Sequence, residues 1–175
     1  APILEDLSLD VLQGQLTVIV GPNACGKSTL LRSLARVLGV RSGVVELDGR
    51  ALTTMNQKEL ARRLGLLAQS STAPADILVE DLVARGRYPH QSILRQWSAE
   101  DDEAVAWAMR QAGVEVLARR RVGELSGGQR QRVWIAMVLA QSTDIVLLDE
   151  PTTYLDLNHQ LEVLRLARRL QADGR

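Results

Sequence analysis

The apolar positions of the chain fall into short β-branched runs and longer helical patterns. The short runs predict strands at residues 3–9, 16–20, 44–47, 64–68 and 145–148. Apolar residues that recur three or four positions apart predict helices over residues 30–38, 79–85, 99–111, 114–118 and 129–140. Ser98 is the expected N-cap of the third helix, whose first turn is rich in acids.

This order of elements predicts an α/β core that is interrupted by a helical insert. A polar loop at residues 70–74 ends the early strands, and the next predicted strand comes only at Ile145. Within a single domain of 175 residues, the core would comprise residues 1–69 and 141–175, and the insert residues 70–140. The chain begins at Ala1 and stops directly after a helical stretch, so we expect a piece of a longer protein.

Composition and charge exclude several classes of protein. Twenty-one basic residues balance 21 acidic ones, aromatic content is 3%, and no basic stretch is interleaved with aromatics. We therefore expect no nucleic-acid binding. No apolar run approaches the ~18 residues that span a bilayer, and no signal-peptide pattern is present, which predicts a soluble protein. The single cysteine, Cys25, allows no intrachain disulfide and suits a reducing cytosol, where it would be a small loop filler.

Residues 21–28 (GPNACGKS), the phosphate loop, fit the pattern G-x-x-x-x-G-K-[ST] between a predicted strand and a predicted helix. Amides at the helix start lack partners, and the helix dipole adds positive charge where β- and γ-phosphates would lie. Lys27, if it is not merely a solvated helix lysine, would contact those phosphates, and the hydroxyl of Ser28 would coordinate Mg²⁺. The candidate nucleotide contacts are Gly21, Pro22, Asn23, Ala24, Cys25, Gly26, Lys27, Ser28 and Thr29.

A second part of the candidate site follows the apolar run at 145–148. Asp149 and Glu150, the acidic pair, stand at the C-terminal end of that predicted strand, the edge at which open α/β sheets bind ligands. Asp149 would hold Mg²⁺ directly or through water. Glu150 would be the general base that polarises the attacking water. Two adjacent acids at a strand end are often only a solvated turn, so their meaning comes from the phosphate loop upstream.

Further motifs make the chain resemble the ATP-binding-cassette (ABC) ATPases over its whole length. Residues 125–129 match the family's signature LSGGQ without a substitution, Gln69 falls where the family has its Q-loop glutamine, and residues 153–156 (TYLD) match the D-loop. The resemblance implies a P-loop NTPase core, with a mostly parallel sheet, flanking helices and a small antiparallel part, and an inserted helical subdomain that carries the signature. It also implies ATP and Mg²⁺ as cofactors, with Gln69 binding the metal and sensing the γ-phosphate.

The signature segment, residues 125–129, has a physical logic as a second phosphate site. Ser126 offers a hydroxyl, and Gly127 and Gly128 expose amides at the start of a predicted helix. In the family two copies pack head to tail, so that the signature of each closes on the ATP held by the other. The residues that the resemblance adds to the nucleotide site are Ser126, Gly127, Gly128, Gln129 and Asp156.

A finer resemblance is to the bacterial importers of ferric siderophores, haem and cobalamin. It rests on residues 86–91 (GRYPHQ), 129–137 and 148–160. It implies an ATPase subunit, peripheral on the cytoplasmic side of the cell membrane, that powers uptake of a ferric siderophore or similar iron chelate. Its partners would be a membrane permease that docks near residues 79–88, a second ATPase subunit in a homodimer or related pair, and a periplasmic or lipoprotein solute-binding protein.

The chain departs from the family pattern at three points. The A-loop aromatic and the switch histidine are missing, because the chain begins too late for the first and ends too early for the second. Ala24 stands where glycine is usual, which costs about 1 kcal/mol if the φ angle there is positive. Two alternatives stay open: a soluble ABC ATPase of DNA repair or translation, although the added domains or second cassette of those classes are not seen, and a nucleotide-binding fragment without appreciable turnover.

Overall fold

The computed structural model describes residues 3–92, 96–153 and 155–175. Within these ranges the elements follow one another as α1 (Lys27–Leu34), β1 (Glu46–Leu47), β2 (Arg50–Ala51), α2 (Gln57–Arg63), β3 (Leu64–Leu67), α3 (Val79–Ala84), α4 (Ala99–Gln111), α5 (Gly127–Ala140), β4 (Ile145–Leu148) and α6 (Leu157–Ala172). Short 3₁₀ turns lie at Leu52–Thr54, Arg85–His90, Glu115–Leu117 and Val122–Glu124. None of the described helices is long and apolar enough to cross a membrane.

Two strands from distant parts of the chain pair in parallel. β3 and β4 align with Leu64 opposite Ile145, and the amide of Asp149 continues the ladder by donating to the carbonyl of Leu67 at 3.0 Å. Both strands were predicted from their apolar runs, and both are confirmed. Because parallel strands end at the same edge, the segments that follow β3 and β4 lie side by side, and these segments carry the candidate site.

A small antiparallel hairpin forms a separate two-stranded sheet. β1 and β2 align Glu46 with Ala51 around a two-residue turn. Asp48 and Gly49 form the turn with φ angles of 50° and 74°, the left-handed pair that a type I′ turn requires, so the turn predicted there is confirmed. The buried residues of the small core beneath the hairpin and α2 are Leu52, Met55 and Leu60.

The main hydrophobic core surrounds α5. This helix packs against α3, α4 and β3, and full burial of an aliphatic side chain contributes about 1.5–3 kcal/mol. Gly86, in the 3₁₀ turn after α3, lies where a Cβ would overlap the carbonyl oxygen of Met137, so this turn approaches α5 closely. The core residues include Leu67, Val79, Leu82, Val83, Ala108, Val133, Ile135, Val138 and Leu139.

Two of the predicted strands are wrong. Residues 3–9 and 16–20 form no strand, and the side chains of Val18 and Val20 are 71% and 85% exposed. An apolar run becomes a strand only where a neighbour pairs its backbone groups. Among the described residues, no backbone hydrogen bond engages residues 16–20. The strand predicted at 44–47 is reduced to β1, the two residues that face β2.

Three of the four helices predicted in the insert are confirmed in type and nearly in bounds. α4 occupies the predicted residues 99–111, with Ser98 as its N-cap and Asp101 completing a capping box. α3 ends one residue earlier than predicted, and α5 begins two residues earlier because Ser126 caps it. The helix predicted at 114–118 is a 3₁₀ turn instead.

The helix after the phosphate loop is displaced from its predicted bounds. α1 begins at Lys27, three residues before the predicted start, and ends at Leu34 rather than at residue 38. It stops there because Arg36 adopts a left-handed φ of 55° and the amide of Val37 turns back to the carbonyl of Arg32 at 2.8 Å.

Candidate functional site

The phosphate loop wraps around the start of α1. Ala24 and Gly26 adopt left-handed φ angles of 63° and 101°, and a Cβ on Gly26 would lie 2.8 Å from the side chain of Leu4. Ala24 therefore carries the strain of about 1 kcal/mol that its departure from glycine implied. No side chain of the described residues caps α1, so the amides at its start are available to an anionic ligand.

Lys27 folds back over the loop that precedes it. Its Nζ donates to the carbonyl of Gly21 at 2.9 Å and to that of Pro22 at 2.8 Å, and it lies 3.9 Å from Cys25 Sγ. The ammonium group is thus held at the centre of the loop by neutral acceptors. A phosphate group entering the loop would meet a positive charge that can exchange these carbonyls for anionic oxygens.

Ser28 and Asp149 meet although 121 positions separate them in the chain. The Ser28 hydroxyl donates to Asp149 Oδ1 at 2.9 Å. Asp149 is only 3% exposed, and its second oxygen, Oδ2, is buried without a hydrogen-bond partner among the described residues. A buried carboxylate oxygen without a hydrogen-bond partner is unusual, and a bound cation would supply the missing partner.

Ser28 and Asp149 are the kind of residues that bind Mg²⁺ beside a nucleotide. Mg²⁺ takes oxygen ligands and uses one or two protein groups together with phosphate oxygens and water. The hydroxyl of Ser28 and the carboxylate of Asp149 supply such oxygens at one point. The described residues contain no group of three His, Cys, Asp or Glu side chains that could hold a metal by itself, so the remaining ligands would have to come from the nucleotide, water and neighbouring amides.

Glu150 and Gln69 lie side by side at the ends of β4 and β3. Gln69 Nε2 donates to Glu150 Oε2 at 2.8 Å, and the hydroxyl of Thr153 donates to the same oxygen at 3.3 Å. Glu150 is exposed and has a left-handed φ of 49°, which directs it away from the course of the strand. The carboxylate is therefore oriented from two sides while it remains open to solvent.

Sequence reasoning missed Thr153 as a partner of Glu150. The amide of Thr153 donates to the carbonyl of Glu150 at 3.2 Å, so the two residues span a tight turn through Pro151. A hydroxyl residue three positions after an acid, with proline between them, is the signal that could have revealed this contact. Gln131 in α5 also reaches the turn, because its Nε2 donates to the Pro151 carbonyl at 3.3 Å.

The signature segment forms the capped start of α5. The Ser126 hydroxyl accepts from the amide of Gln129 at 3.2 Å, and Gln129 Oε1 accepts from the amide of Ser126 at 3.1 Å. This reciprocal pair is a capping box. It leaves the amides of Gly127 and Gly128 at the exposed end of the helix, without acceptors inside the helix.

Asp156 caps α6. Its Oδ1 accepts from the amide of His159 at 3.0 Å, and its Oδ2 lies 2.8 Å from His159 Nδ1. The amide and then the ring of His159 hold the pKa of Asp156 below its ordinary value, because both donate to the carboxylate. Tyr154, in the predicted D-loop, lies outside the described residues.

The predicted site residues thus fall into two groups. Ser28 meets Asp149, and Gln69 meets Glu150, at the edge where β3 and β4 end. Among the described residues, the polar contacts of Ser126, Gln129 and Asp156 stay within their own helix starts. The structure therefore brings these four residues together and leaves the signature segment outside their contacts.

A groove opens beside α3. Its volume is about 420 Å³, and Asp81, Arg85, Tyr88, Gln91 and Trp97 contribute to its lining. The side chains of Tyr88 and Trp97 are 58% and 45% exposed. The groove coincides with the surface near residues 79–88 that the sequence predicts as a docking face.

One known protein family matches most of the chain. A family model described as "ABC transporter" matches residues 4–153, which contain the phosphate loop, Gln69, the signature segment and the acidic pair. The chain belongs to the ABC transporter family. Membership implies that this cassette binds a nucleotide, and it agrees with the core and the capped signature helix described above.

Similar proteins support the assignment of both the fold and the family. The chain is 54% identical over 171 residues to the ferric enterobactin transport ATP-binding protein of Escherichia coli (strain K12), covering 98% of this chain and 63% of that protein. It is 52% identical over 164 residues to the petrobactin import ATP-binding protein FpuD of Bacillus anthracis, covering 94% and 60%. A dimeric bacterial ABC transporter cassette superposes with a TM-score of 0.86 at 26% identity, covering 98% of this chain and 76% of the other.

These similarities confirm the predicted fold class, an α/β P-loop NTPase cassette with a small antiparallel part. The cassette spans about three fifths of the length of the curated relatives it matches.

Proposed function

We propose that this cassette is the ATP-binding and ATP-hydrolysing part of an importer that takes up a ferric siderophore or a similar iron chelate. The observation that carries the proposal is the meeting of Ser28 with Asp149, and of Gln69 with Glu150, at one edge of the β3–β4 pair. Two relatives are named as ATP-binding proteins for ferric enterobactin transport and for petrobactin import. These names favour an importer over a soluble ATPase of DNA repair or translation.

In this proposal the phosphate loop holds the β- and γ-phosphates of ATP. The backbone of residues 21–29 surrounds them, and Lys27 exchanges its present carbonyl acceptors for phosphate oxygens. Ser28 and Asp149 would hold Mg²⁺, with Gln69 as a further oxygen donor. When bound, the ion neutralises charge on the phosphate oxygens during transfer.

Glu150 acts on the attacking water. Its carboxylate accepts a hydrogen bond from the water and orients it toward the γ-phosphate as the general base. Gln69 and Thr153 hold the carboxylate in place, since both donate to Oε2 and leave Oε1 free for the water in the contacts that the structure describes. If Gln69 were to bind Mg²⁺ instead of Glu150, Thr153 would be the donor that remains on the carboxylate.

The second half of the proposal is a head-to-tail pair of cassettes. Ser126, Gly127, Gly128 and Gln129 of one copy would contact the ATP bound by the other, and Asp156 would lie in the same interface. Two facts support this arrangement: the start of α5 is exposed, and a solved bacterial cassette with the same fold is dimeric. The charge of the γ-phosphate would suit the amides at the start of α5.

The remaining partners follow from the same proposal. Residues 70–140 would be the helical subdomain, attached to a core of residues 1–69 and 141–175. The groove near residues 79–88 would receive a membrane permease, which places the cassette at the cytoplasmic face of the membrane as a peripheral subunit. A periplasmic or lipoprotein solute-binding protein would complete the system, with no role for nucleic acid.

The proposal is tested by hydrolysis and binding in the full-length protein. We expect Glu150→Gln to lower kcat for MgATP by about 10²–10⁴-fold while ATP still binds, because only the general base is lost. ATP should then convert the variant from monomer to dimer on size exclusion. Lys27→Ala should abolish nucleotide binding.

The matched control is Lys58→Ala. Lys58 is also an exposed lysine whose Nζ donates to a backbone carbonyl, that of Gln91, but it lies in α2 outside the candidate site. The Lys58→Ala variant should hydrolyse ATP with the kcat of the parent protein. If Lys27→Ala binds ATP with undiminished affinity, the proposed phosphate site is contradicted. If Glu150→Gln stays monomeric with ATP bound, the paired arrangement is contradicted.

A further inference from the structure

One buried ion pair plays no part in the site described above. Arg87 lies in the 3₁₀ turn after α3 and Asp101 in the first turn of α4, and both side chains are only 1% exposed. Arg87 Nε donates to Asp101 Oδ1 at 2.7 Å. Asp101 Oδ2 accepts from the amide and the hydroxyl of Ser98 at 3.0 and 2.9 Å. Burial acts to raise the pKa of Asp101, but the hydrogen bonds from Arg87 and Ser98 outweigh it, and the pKa is lowered.

The other side of the Arg87 guanidinium holds the end of α5. Its Nη1 donates to the carbonyl of Ala140, the last residue of that helix, at 2.9 Å and to the hydroxyl of Ser142 at 3.0 Å. Carbonyls in the last turn of a helix have no amide partner within it, and Arg87 is the closer of two donors to the Ala140 carbonyl, the other being the Ser142 hydroxyl at 3.4 Å. One side chain therefore connects the 3₁₀ turn, the start of α4 and the end of α5.

We propose that Arg87 and Asp101 are positioning residues for the signature segment. They fix the C-terminal end of α5, and the N-terminal end of the same helix carries Ser126–Gln129. A helix of 14 residues is a straight rod of about 21 Å, so a shift at one end changes where the other end points. The inference rests on the proposed function, in which the signature of one copy must meet the ATP of another.

The physics of buried ion pairs favours a positioning role over a purely stabilising one. Replacing both members of such a pair by well-packed hydrophobic residues of similar volume is often neutral for stability, because the desolvation cost of the charges disappears with their attraction. A planar guanidinium that donates to three acceptors at fixed angles does supply defined geometry. Tyr88 and Arg85 in the same turn line the groove beside α3, so the pair also connects that groove to α5.

The test uses the full-length protein with Glu150→Gln as the parent, so that ATP traps the dimer. Arg87→Met combined with Asp101→Asn removes both charges without leaving either one buried alone, and the amide oxygen can still serve the capping box at Ser98. We expect nucleotide affinity of the monomer to stay at the parent value, while the dimer dissociation constant in ATP rises about tenfold, within the range for residues that modulate coupling. Arg87→Lys keeps the charge but lacks the planar guanidinium that donates to three acceptors. Its dimer dissociation constant should therefore also rise above the parent value.

Arg63→Ala is the matched control. Arg63 also bridges two carboxylates, those of Asp48 at 2.6 Å and Asp144 at 2.9 Å, but its side chain is 39% exposed and its described hydrogen bonds do not reach α5. The Arg63→Ala variant should have the same dimer dissociation constant in ATP as the parent. The proposal is overturned if the double variant or Arg87→Lys dimerises as tightly as the parent. It is also overturned if nucleotide affinity falls together with dimerisation, since the pair would then have no specific effect on the signature segment.

Hydrogen exchange in the nucleotide-free monomer separates this inference from the proposed function. Amides 129–131, which are hydrogen-bonded at the capped start of α5, should exchange faster in the double variant than in Arg63→Ala, and equal rates would overturn the positioning role whether or not a dimer forms. A parent protein that binds ATP without dimerising, combined with this selective change in exchange, would instead contradict the paired arrangement and leave the positioning of α5 supported.

Discussion

At the scale of single residues, each charged side chain of the candidate site already has a partner within the protein. Lys27 donates to two carbonyls of its own loop, and Glu150 accepts from Gln69 and Thr153. Nucleotide binding therefore exchanges existing hydrogen bonds for new ones. Each exchanged bond contributes only about 0.5–1.5 kcal/mol, so affinity must come from many small contacts around the loop.

The left-handed backbone at Ala24 gives the first prediction. Ala24→Gly should stabilise the full-length protein by about 0.5 kcal/mol, because the relief of Cβ strain exceeds the added entropy of the unfolded chain. Urea unfolding measures the change. Ala106→Gly, at an exposed position within α4, should destabilise by about 1 kcal/mol and serves as the control of opposite sign. Destabilisation by Ala24→Gly would mean that the φ angle of 63° carries no strain.

The contact between Thr153 and Glu150 gives a second prediction. Thr153→Val keeps the shape of the side chain but removes the donor, so kcat for ATP should fall about fivefold, equivalent to one hydrogen bond of about 1 kcal/mol. KM should not change, because the residue orients the base and does not touch the nucleotide. Thr153→Ser keeps the hydroxyl and should restore kcat. Equal kcat values in the valine and serine variants would contradict the contact.

At the scale of elements, three helix starts use the same local device. Each start joins its cap residue to the residue three positions on. Ser126 at α5 and Asp156 at α6 accept from the amide of that residue, and at α4 the amide and hydroxyl of Ser98 donate to the Asp101 carboxylate. Two of these helices carry motif residues at their start. The caps therefore fix where the helix begins and also which groups the start presents.

The cap of α6 predicts a dependence of stability on pH. The lowered pKa of Asp156 means that the ionised carboxylate adds stability above its unfolded value of about 3.9, and that this contribution is lost as pH falls through the lower folded value. Asp156→Asn keeps a capping oxygen without the charge. The stability difference between parent and variant, measured by urea unfolding, should therefore be present at pH 6 and shrink below about pH 4.

The companion variant His159→Ala separates the two donors. It removes the ring contact to Asp156 but keeps the amide contact, so part of the pH dependence should persist. A difference between Asp156→Asn and the parent that stays constant from pH 6 down to pH 3 would contradict the role of the charge.

Local signals in the sequence predicted α3, α4 and α5 well, did not predict α2, and predicted the strands unevenly. α4 was predicted with its correct bounds because Ser98 and the acids that follow are neighbours in the chain. The runs at 3–9 and 16–20 are equally apolar but form no strand, because a strand also needs a partner whose place the run does not specify. β3 and β4 form because each supplies the other's partner.

The candidate site divides in the same way. The phosphate loop and the acidic pair were recognisable because their spacing in the sequence reflects their chemistry. The contact of Gln69 with Glu150 joins residues 81 positions apart, and that of Arg87 with Ala140 joins residues 53 apart. Such contacts depend on how the elements pack, so the sequence indicated the residue types but not the pairings.

At the scale of the whole molecule, α5 is the element that joins the parts. It packs on α3, α4 and β3, carries the signature segment at its start, and reaches the turn after the acidic pair through Gln131. Its far end receives Arg87. A change in the packing of α5 should therefore be felt at sites that share no direct contact with one another.

The close approach of Gly86 to α5 allows a test of this packing. Gly86→Ala would place a Cβ against the carbonyl of Met137, so we expect a loss of about 1–3 kcal/mol in the free energy of unfolding from overpacking. Gly39→Ala is the control, because no atom lies within 4 Å of its added Cβ, and it should be neutral or stabilising by up to about 1 kcal/mol. Thermal unfolding that does not distinguish the two variants would contradict the close contact.

The four-residue pairing of β3 with β4 has a consequence for how this protein can change over time. Neighbouring side chains along a strand point to opposite faces, so sliding either strand by one position would turn Gln69 or Glu150 away from its partner. A single-residue insertion or deletion in either strand would thus abolish the proposed ATP hydrolysis without replacing Gln69 or Glu150. Length variation among descendants should accumulate in the surface loops and spare these two short stretches.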